Sequence, residues 1–231
     1  MDDSLTRLNK FLSVSGFCSR RQADKLIEEK RITVNGKLPE LGTKVSVADL
    51  VAVDGKPIAQ QKKENIYLAF NKPVGIECTT NEKVKNNIIS FINYPKRIFP
   101  IGRLDKNSEG LILLTDDGDI VNKISRAANF HEKEYLVTVN KMVTPDFIQK
   151  MSQGVPILNT VTRKCKVEKV NDYSFKIVLT QGLNRQIRRM CEYFDYEVIK
   201  LRRIRIMNIL LDVPLGKYRL LREEEIELLN R

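Results

Sequence analysis

The 231-residue sequence has no tryptophan, a single histidine (His131), and four cysteines, Cys18, Cys78, Cys165 and Cys191, with no C-x-x-C pair among them. One histidine and scattered thiols make no zinc set, and nothing in the sequence supports a Ser-His-Asp or Cys-His arrangement built on His131, which reads as a structural or surface residue. A cytosolic setting argues against disulfides between them. No apolar run approaches the ~20 residues of a membrane-spanning helix and no signal-peptide pattern opens the chain, so a cytoplasmic protein without a membrane partner is expected. No internal repeat or low-complexity tract is visible. Acids are also scarce: 29 Asp and Glu face 40 Lys and Arg, a net charge of +11. A clustered excess of that size points to a polyanionic partner, with nucleic acid first; the alternative is a protein that is merely basic.

What the sequence does contain is organised around residues 102–118, GRLDKNSEGLILLTDDG. Asn107, Ser108 and Gly110 are turn formers, and Leu111 to Leu114 form a continuous apolar run of strand length. Asp105 therefore lies on a loop next to a rigid element, where a carboxylate can meet a substrate in fixed geometry. Arg103 and Lys106 flank it and would keep it ionised. The competing reading is a solvated loop acid or a structural ion-pair partner.

In chain order, Leu5, Leu8, Phe11 and Leu12 predict an amphipathic helix stopped by Gly16, with Arg7 and Lys10 on its other face. Ser19 and Gln22 read as a capping box opening a second helix through Ala23, Leu26 and Ile27. Arg20 and Arg21 fall in its first turn, where the helix dipole disfavours cations, so they serve another purpose. Strands ending in Asn35-Gly36 and Asp54-Gly55 turns follow. The stretch RLNKFLSVSGFCSRRQADKLIEEKRITVNG resembles the S4-type RNA-binding domain, which grips structured RNA with a basic helix pair. Residues 1–60 are expected to form it, with 61–65, within the polar QQKKEN run, as linker and 66–231 as a second domain.

In that second domain Ile66 to Phe70 predicts a strand that Asn71-Lys72-Pro73-Val74-Gly75 ends in a turn. A short helix over 86–92 and a segment from Ile98 to Ile101 lead into the central motif. Asp116 to Ser125 reads as a helix with acids in its first turn, Glu134 to Val139 as a strand, and Thr144-Pro145 as the start of a helix through Phe147, Ile148 and Met151. Strand-like runs cover Val161 to Val170 and Phe175 to Thr180. Asn184 is an N-cap candidate for a helix with an Ile187, Met190, Cys191 and Phe194 stripe. Arg185, Arg188 and Arg189 at its start, and the cations of the strand-like run from Lys200 to Arg205, read as phosphate contacts rather than a solvated face. Glu223 to Ile226 begins a short final helix.

Together NKPVGIECTT, FPIGRLDKNSEGLILLTDDGD, HEKEYLVTV and QGLNRQIRRMCEYFDYEV, in this order, resemble the RsuA-type pseudouridine synthases, which modify ribosomal RNA. HEKEYLVTV, MSQGVPILNTVTRKCKV and IRIMNILL favour a subgroup acting on large-subunit RNA. The resemblance implies an α+β architecture, with the small S4-type domain followed by a catalytic domain on a mostly antiparallel mixed β-sheet flanked by helices. It implies an enzyme that isomerises uridine to pseudouridine without a cofactor or metal, working as a monomer on a stem-loop. It carries the catalytic nucleophile onto Asp105, the tyrosine that stacks on the target base and assists deprotonation onto Tyr135, and the cation paired with the carboxylate onto Arg188. RNA-touching segments map onto Arg103, Leu104 and Lys106, and onto Arg185, Gln186, Ile187 and Arg189. Arg103 is the expected filler of the space left by a flipped base. By pattern alone Tyr135 is equally a core strand residue. Some relatives carry a lysine-rich C-terminal tail not seen here, which would shift RNA affinity onto the N-terminal domain.

Two other classes compete. One is a catalytically silent RNA-binding or ribosome-assembly factor on the same scaffold. The other is a metal-dependent nuclease built on Asp116, Asp117 and Asp119, although three acids at a helix start more often answer the dipole.

Overall fold

The computed structural model describes residues 5–58, 65–81, 83–125 and 130–230. Its contacts divide into two units, Met1–Asn65 and Ile66–Arg231. Of the expected linker only Asn65 is described; 61–64 lie outside the described residues.

The first unit begins with β1 (Thr6–Arg7), α1 (Leu8–Val14) and α2 (Arg20–Glu28). Leu5 and Val14 are exposed, so the first helix is shorter than its spacing suggests and buries only Leu8, Phe11 and Leu12. The capping box is formed: the Gln22 N–H donates to Ser19 Oγ at 3.2 Å and the Ser19 N–H to Gln22 Oε1 at 2.9 Å. β2 (Ile32–Val34) and β4 (Val51–Val53) pair antiparallel, β5 (Lys56–Pro57) pairs with β4, and β3 (Lys44–Val45) pairs with β1. Ala23, Ile27, Ile32, Val45, Val51 and Val53 join the α1 residues in one small core.

The second unit is a nine-stranded mixed sheet. Its strands are β6 (Tyr67–Lys72), β7 (Phe99–Ile101), β8 (Glu109–Thr115), β9 (Lys133–Val139), β12 (Lys166–Asn171), β13 (Ser174–Leu179), β14 (Val198–Ile206), β15 (Ile209–Leu210) and β16 (Tyr218–Leu220). The order is β12-β13-β9-β14-β8-β6-β16, with β15 on β14 and β7 on β8. Every ladder is antiparallel except β14–β8. The helices are α3 (Ile88–Ile92), α4 (Gly118–Ser125), α5 (Pro145–Ser152), α6 (Gln186–Glu192) and α7 (Glu223–Asn230). A separate hairpin pairs β10 (Pro156–Ile157) with β11 (Thr160–Val161), so the expected strand from Val161 to Val170 is interrupted.

Strand β6 also runs further than its turn residues imply. Asn71 and Lys72 are fully buried within it, because its edges are filled by β8 and β16 and the turn begins only at Pro73. At the start of α6, Asn184 is not the cap: Arg185 occupies that position in left-handed backbone with φ 50°, without a capping side chain. The loop is closed instead by Gln186, whose Oε1 accepts from the Leu183 N–H at 3.1 Å. The acids near α4 tie down β6, the Ile66 N–H donating to Asp116 at 2.7 Å and the Tyr67 hydroxyl to Asp117 at 2.8 Å. Among the described residues no group of three or more His, Cys, Asp or Glu is arranged to hold a metal. None of the four cysteines is in a disulfide, and no helix among the described residues is long and apolar enough to cross a membrane.

Candidate active site

The site forms where one edge of β8 changes partner. Glu109 and Gly110 pair with β14, while Leu113 to Thr115 pair with β7 on that same edge. Leu111 falls between the two ladders, and its carbonyl accepts a 2.6 Å hydrogen bond from Arg203 Nε. A cavity of about 390 Å³ opens at this junction, lined by Asp105, Tyr135, Arg188 and Arg203 among others.

A single cross-strand row runs beneath it: Lys72 opposite Gly110, Gly110 opposite Arg203, Arg203 opposite Tyr135, and Tyr135 opposite Ile177. Glycine is required in the middle. A Cβ at position 110 would lie 2.3 Å from the Arg203 carbonyl oxygen, and its φ of +109° disfavours any side chain. Close approach of β8 to β14 thus brings the Asp105 loop next to the Tyr135 side chain.

Asp105 is half-buried on the loop between β7 and β8. The loop is held from several directions. The Ser108 N–H donates to the Asp105 carbonyl at 3.0 Å, and the Gly75 N–H to the Lys106 carbonyl at 2.8 Å. Lys72, 0% exposed, donates to the carbonyls of Ile76 (2.8 Å), Pro73 (2.9 Å) and Lys106 (3.5 Å). Burial above all lowers its pKa, and the nearby Cys78, Asp105 and Glu109 pull it back up. A buried ammonium satisfied by carbonyls therefore braces the loop that presents Asp105.

Arg188 lies in the first turn of α6. Its Nη1 donates to the Val198 carbonyl at 3.0 Å and Nη2 to the Asn107 carbonyl at 2.8 Å, so the guanidinium joins the helix, β14 and the Asp105 loop. The direct carboxylate–guanidinium pair expected for Arg188 is not formed: among the described residues no ion pair within 4 Å links it to Asp105, because its terminal nitrogens are engaged by carbonyls. Burial first, and then Arg185, lower the Arg188 pKa, while the Asp105 charge raises it. Tyr135 is 9% exposed and sits with its ring centre 6.0 Å from the Arg203 guanidinium carbon.

The other expected contacts divide. Arg103 and Arg185 line the cavity and are exposed; Leu104, Gln186 and Ile187 line it from the buried side. Lys106 and Arg189 do not line it. Lys106 pairs with Glu77 at 3.0 Å, and Arg189 donates to the Asn184 backbone and side-chain oxygens at 3.1 and 3.2 Å. Arg7, Arg20 and Arg21 are exposed on the first unit and Lys10 is half-buried there.

The reading of the Lys200 to Arg205 run as phosphate contacts is corrected by the packing for Arg203 and Arg205, while Lys200 stays exposed and Arg202 half-buried. Lys200 and Arg202 approach Glu109 at 3.1 and 3.9 Å, Arg205 pairs with Glu134 at 2.8 Å and Glu132 at 3.0 Å, and Arg203 is buried. The missed site residues are Arg203 and Lys133. Strand alternation could have found Arg203: it shares a face with Leu201, so an inward cation was implied. Lys133 lines the cavity, donates to the His131 carbonyl at 3.1 Å, and has its pKa pushed down to about 8 by burial and then by Arg203. Burial likewise lowers the pKa of His131, which does not line the cavity.

This fold has clear counterparts. Residues 66–193 match the RNA pseudouridylate synthase family and residues 6–51 the S4 domain. The chain belongs to the RNA pseudouridylate synthases, isomerases that turn uridine in RNA into pseudouridine, and it carries an S4 domain at its N-terminal side. It is 56% identical, over 98% of its length and 79% of theirs, to the dual-specificity RNA pseudouridine synthases RluF of Salmonella typhi and Escherichia coli K12. It is 34% identical to ribosomal large subunit pseudouridine synthase B of Bacillus subtilis, over 86% of this chain and 84% of that one. A crystal structure of a pseudouridylate synthase superposes with a TM-score of 0.71 at 30% identity, covering 96% of this chain and 99% of the other. The resemblance read from the motifs, to the RsuA-type synthases and among them to RluF, agrees with these relatives.

Proposed function

We propose that the protein isomerises specific uridines in large-subunit ribosomal RNA, acting as a monomer in the cytoplasm on a stem-loop. Asp105 is the nucleophile, Tyr135 the platform for the flipped base, and Arg188 the cation facing the carboxylate. The observation that carries this reading is the convergence of Asp105, Tyr135 and Arg188, widely separated in sequence, on one cavity. The names of the RluF relatives and of the Bacillus large-subunit enzyme support an RNA substrate, the latter a ribosomal one.

A base inside a helix is out of reach, so the uridine must leave its stack. Arg103, exposed at the cavity wall, fills the vacated space, and the uracil lies against Tyr135. The Asp105 carboxylate attacks C1′ and the C1′–N1 bonding pair leaves with the uracil. After the ring turns, C5 bonds to C1′ and displaces the carboxylate. C5 then gives up its proton with help from Tyr135, and N1 takes one up. Electrons and protons balance without a redox partner or energy donor, so no cofactor is invoked. Arg7, Lys10, Arg20 and Arg21 in the S4 unit, with Lys106, Leu104, Arg185, Gln186, Ile187 and Arg189 around the cavity region, make up the remaining RNA contacts.

The test is a comparison of ribosomal RNA from cells with and without the gene, using reverse-transcription stops at carbodiimide adducts. Stops at one or a few large-subunit uridines should be present with the gene and absent without it. Identical profiles, or differences confined to other RNAs, would overturn the assignment.

A further inference from the structure

One group in the cavity has no part in the steps above. Arg203 is 3% exposed and lines the cavity. Its Nε serves the orphan carbonyl of Leu111 at 2.6 Å, and its Nη1 makes a long 3.4 Å contact to the Arg103 carbonyl. Its Nη2 is buried with no acceptor, and among the described residues no ion pair engages it. Satisfying one carbonyl needs only a neutral donor. A full positive charge held in the interior with an unused N–H is costly unless an anionic or strongly polar group meets it at some stage.

The charged groups around it do not answer that need. Lys72 and Lys133 are cations whose pKa values are lowered by burial and further by Arg203, Cys78 is a thiol whose pKa burial raises, and Asp105 is the only carboxylate among the described residues that line the cavity. The guanidinium instead stands 6.0 Å from the ring of Tyr135, its cross-strand partner, at the place proposed for the base. An RNA phosphate is the other anion available, but the exposed Arg103 and Arg185 already offer cations where the cavity meets solvent.

Resting on the function proposed above, we infer that Arg203 is a catalytic residue: when the uracil seats on Tyr135, the guanidinium shifts so that Nη2–H, shielded and without an acceptor in the free protein, donates to a carbonyl oxygen of the base and stabilises the negative charge that ring carries while detached. When C1′–N1 breaks, the bonding pair goes to the ring and spreads over N1, O2 and O4. The charge is discharged when C5 bonds to C1′, C5 loses its proton and N1 gains one. Arg203 keeps its own protons throughout and acts as a donor to charge that develops during the reaction.

The experiment uses the purified full chain with a ribosomal RNA fragment containing the mapped uridine, under single-turnover conditions, and the variants Arg203→Met and Arg203→Lys. Parallel substrates carry 2-thiouridine or 4-thiouridine at the target, since sulfur is a poor acceptor. Arg203→Met should slow isomerisation by about 10²–10³-fold, the range for loss of one such donor, while RNA affinity stays within about threefold. One of the two thio substitutions should slow the wild type by roughly tenfold yet slow Arg203→Met less than twofold, the non-additivity that marks a direct contact. If Arg203→Met melts below the assay temperature, the same comparison on Arg203→Lys decides. Rates within threefold of wild type, equal losses of rate and affinity, or additive effects of both thio substitutions would overturn the inference and leave the proposed function standing. A wild type that isomerises no uridine would overturn that function first, and the inference with it.

Discussion

Two arginine-rich segments of this chain have similar charge and opposite fates. Arg20 and Arg21 open α2 of the S4 unit, exposed and without an ion pair among the described residues. Arg202, Arg203 and Arg205 in β14 are turned inward or tied to Glu109, Glu132 and Glu134. A helix start exposes consecutive residues, whereas a central strand alternates them between a face buried in the core, as for Leu201 and Arg203, and one where neighbouring acids pair with them, as for Arg202. The same cation is a solvent-facing contact in one setting and part of the cavity wall or its frame in the other. Net charge predicts a polyanionic partner, but only the element type says which cations are free to meet it.

The comparison can be broken from either side. Arg205→Ala takes its partner from Glu132, leaves Glu134 only the 3.8 Å approach of Lys176, and removes the bond to the Met207 carbonyl, so stability should fall by about 2 kcal/mol. The salt dependence of RNA binding should not change. Denaturant melts and affinities across a salt series check both halves, and a lowered salt slope would mean that β14 faces RNA after all.

Arg20→Ala with Arg21→Ala should do the reverse. RNA affinity should fall roughly tenfold near 0.1 M salt, and the slope of log affinity against log salt should lose about 1.4 to 1.8 for two lost phosphate contacts. Thermal stability should hold within about a degree, as expected for exposed cations, and single-turnover chemistry at saturating RNA should be unchanged.

The smallest effect concerns Lys133, whose folded pKa near 8 lies below the ordinary lysine value. Because the unfolded chain keeps this proton to higher pH, the cost of charging the buried amine is present in full below pH 8. It fades as pH rises toward the unfolded pKa. Lys133→Met should therefore raise the melting temperature by a few degrees at pH 7, on the order of 1 kcal/mol, and the gain should shrink by pH 10. A constant difference across that range would show that the amine carries no such cost.

Much of the architecture was legible because it rests on local signals. The capping box at Ser19 and Gln22, the Asn35-Gly36 and Asp54-Gly55 turns, the Thr144-Pro145 helix start and the apolar run of β8 each appear where their chemistry places them. Asp105 on its loop and Tyr135 on its strand were legible too, from motif and pattern together. What escaped was non-local. The burial of Lys72 depends on the two strands that flank β6, and Arg203 is inward because β14 sits between β8 and β9. The αL cap at Arg185 replaced the expected Asn184 because Gln186 closes the loop. The Arg188 guanidinium reaches the backbone of the Asp105 loop rather than the carboxylate, a choice set by the carbonyls of Asn107 and Val198.

The central claim is that one half-buried carboxylate carries out the isomerisation while the surrounding cations serve binding and charge. The most direct measurement is the single-turnover rate of Asp105→Asn on the mapped ribosomal RNA fragment, beside its affinity for that RNA. The account predicts a rate lower by at least ~10³-fold, as for loss of a covalent nucleophile, with RNA affinity within about threefold of wild type. Pseudouridine formed at an undiminished rate by Asp105→Asn would contradict it.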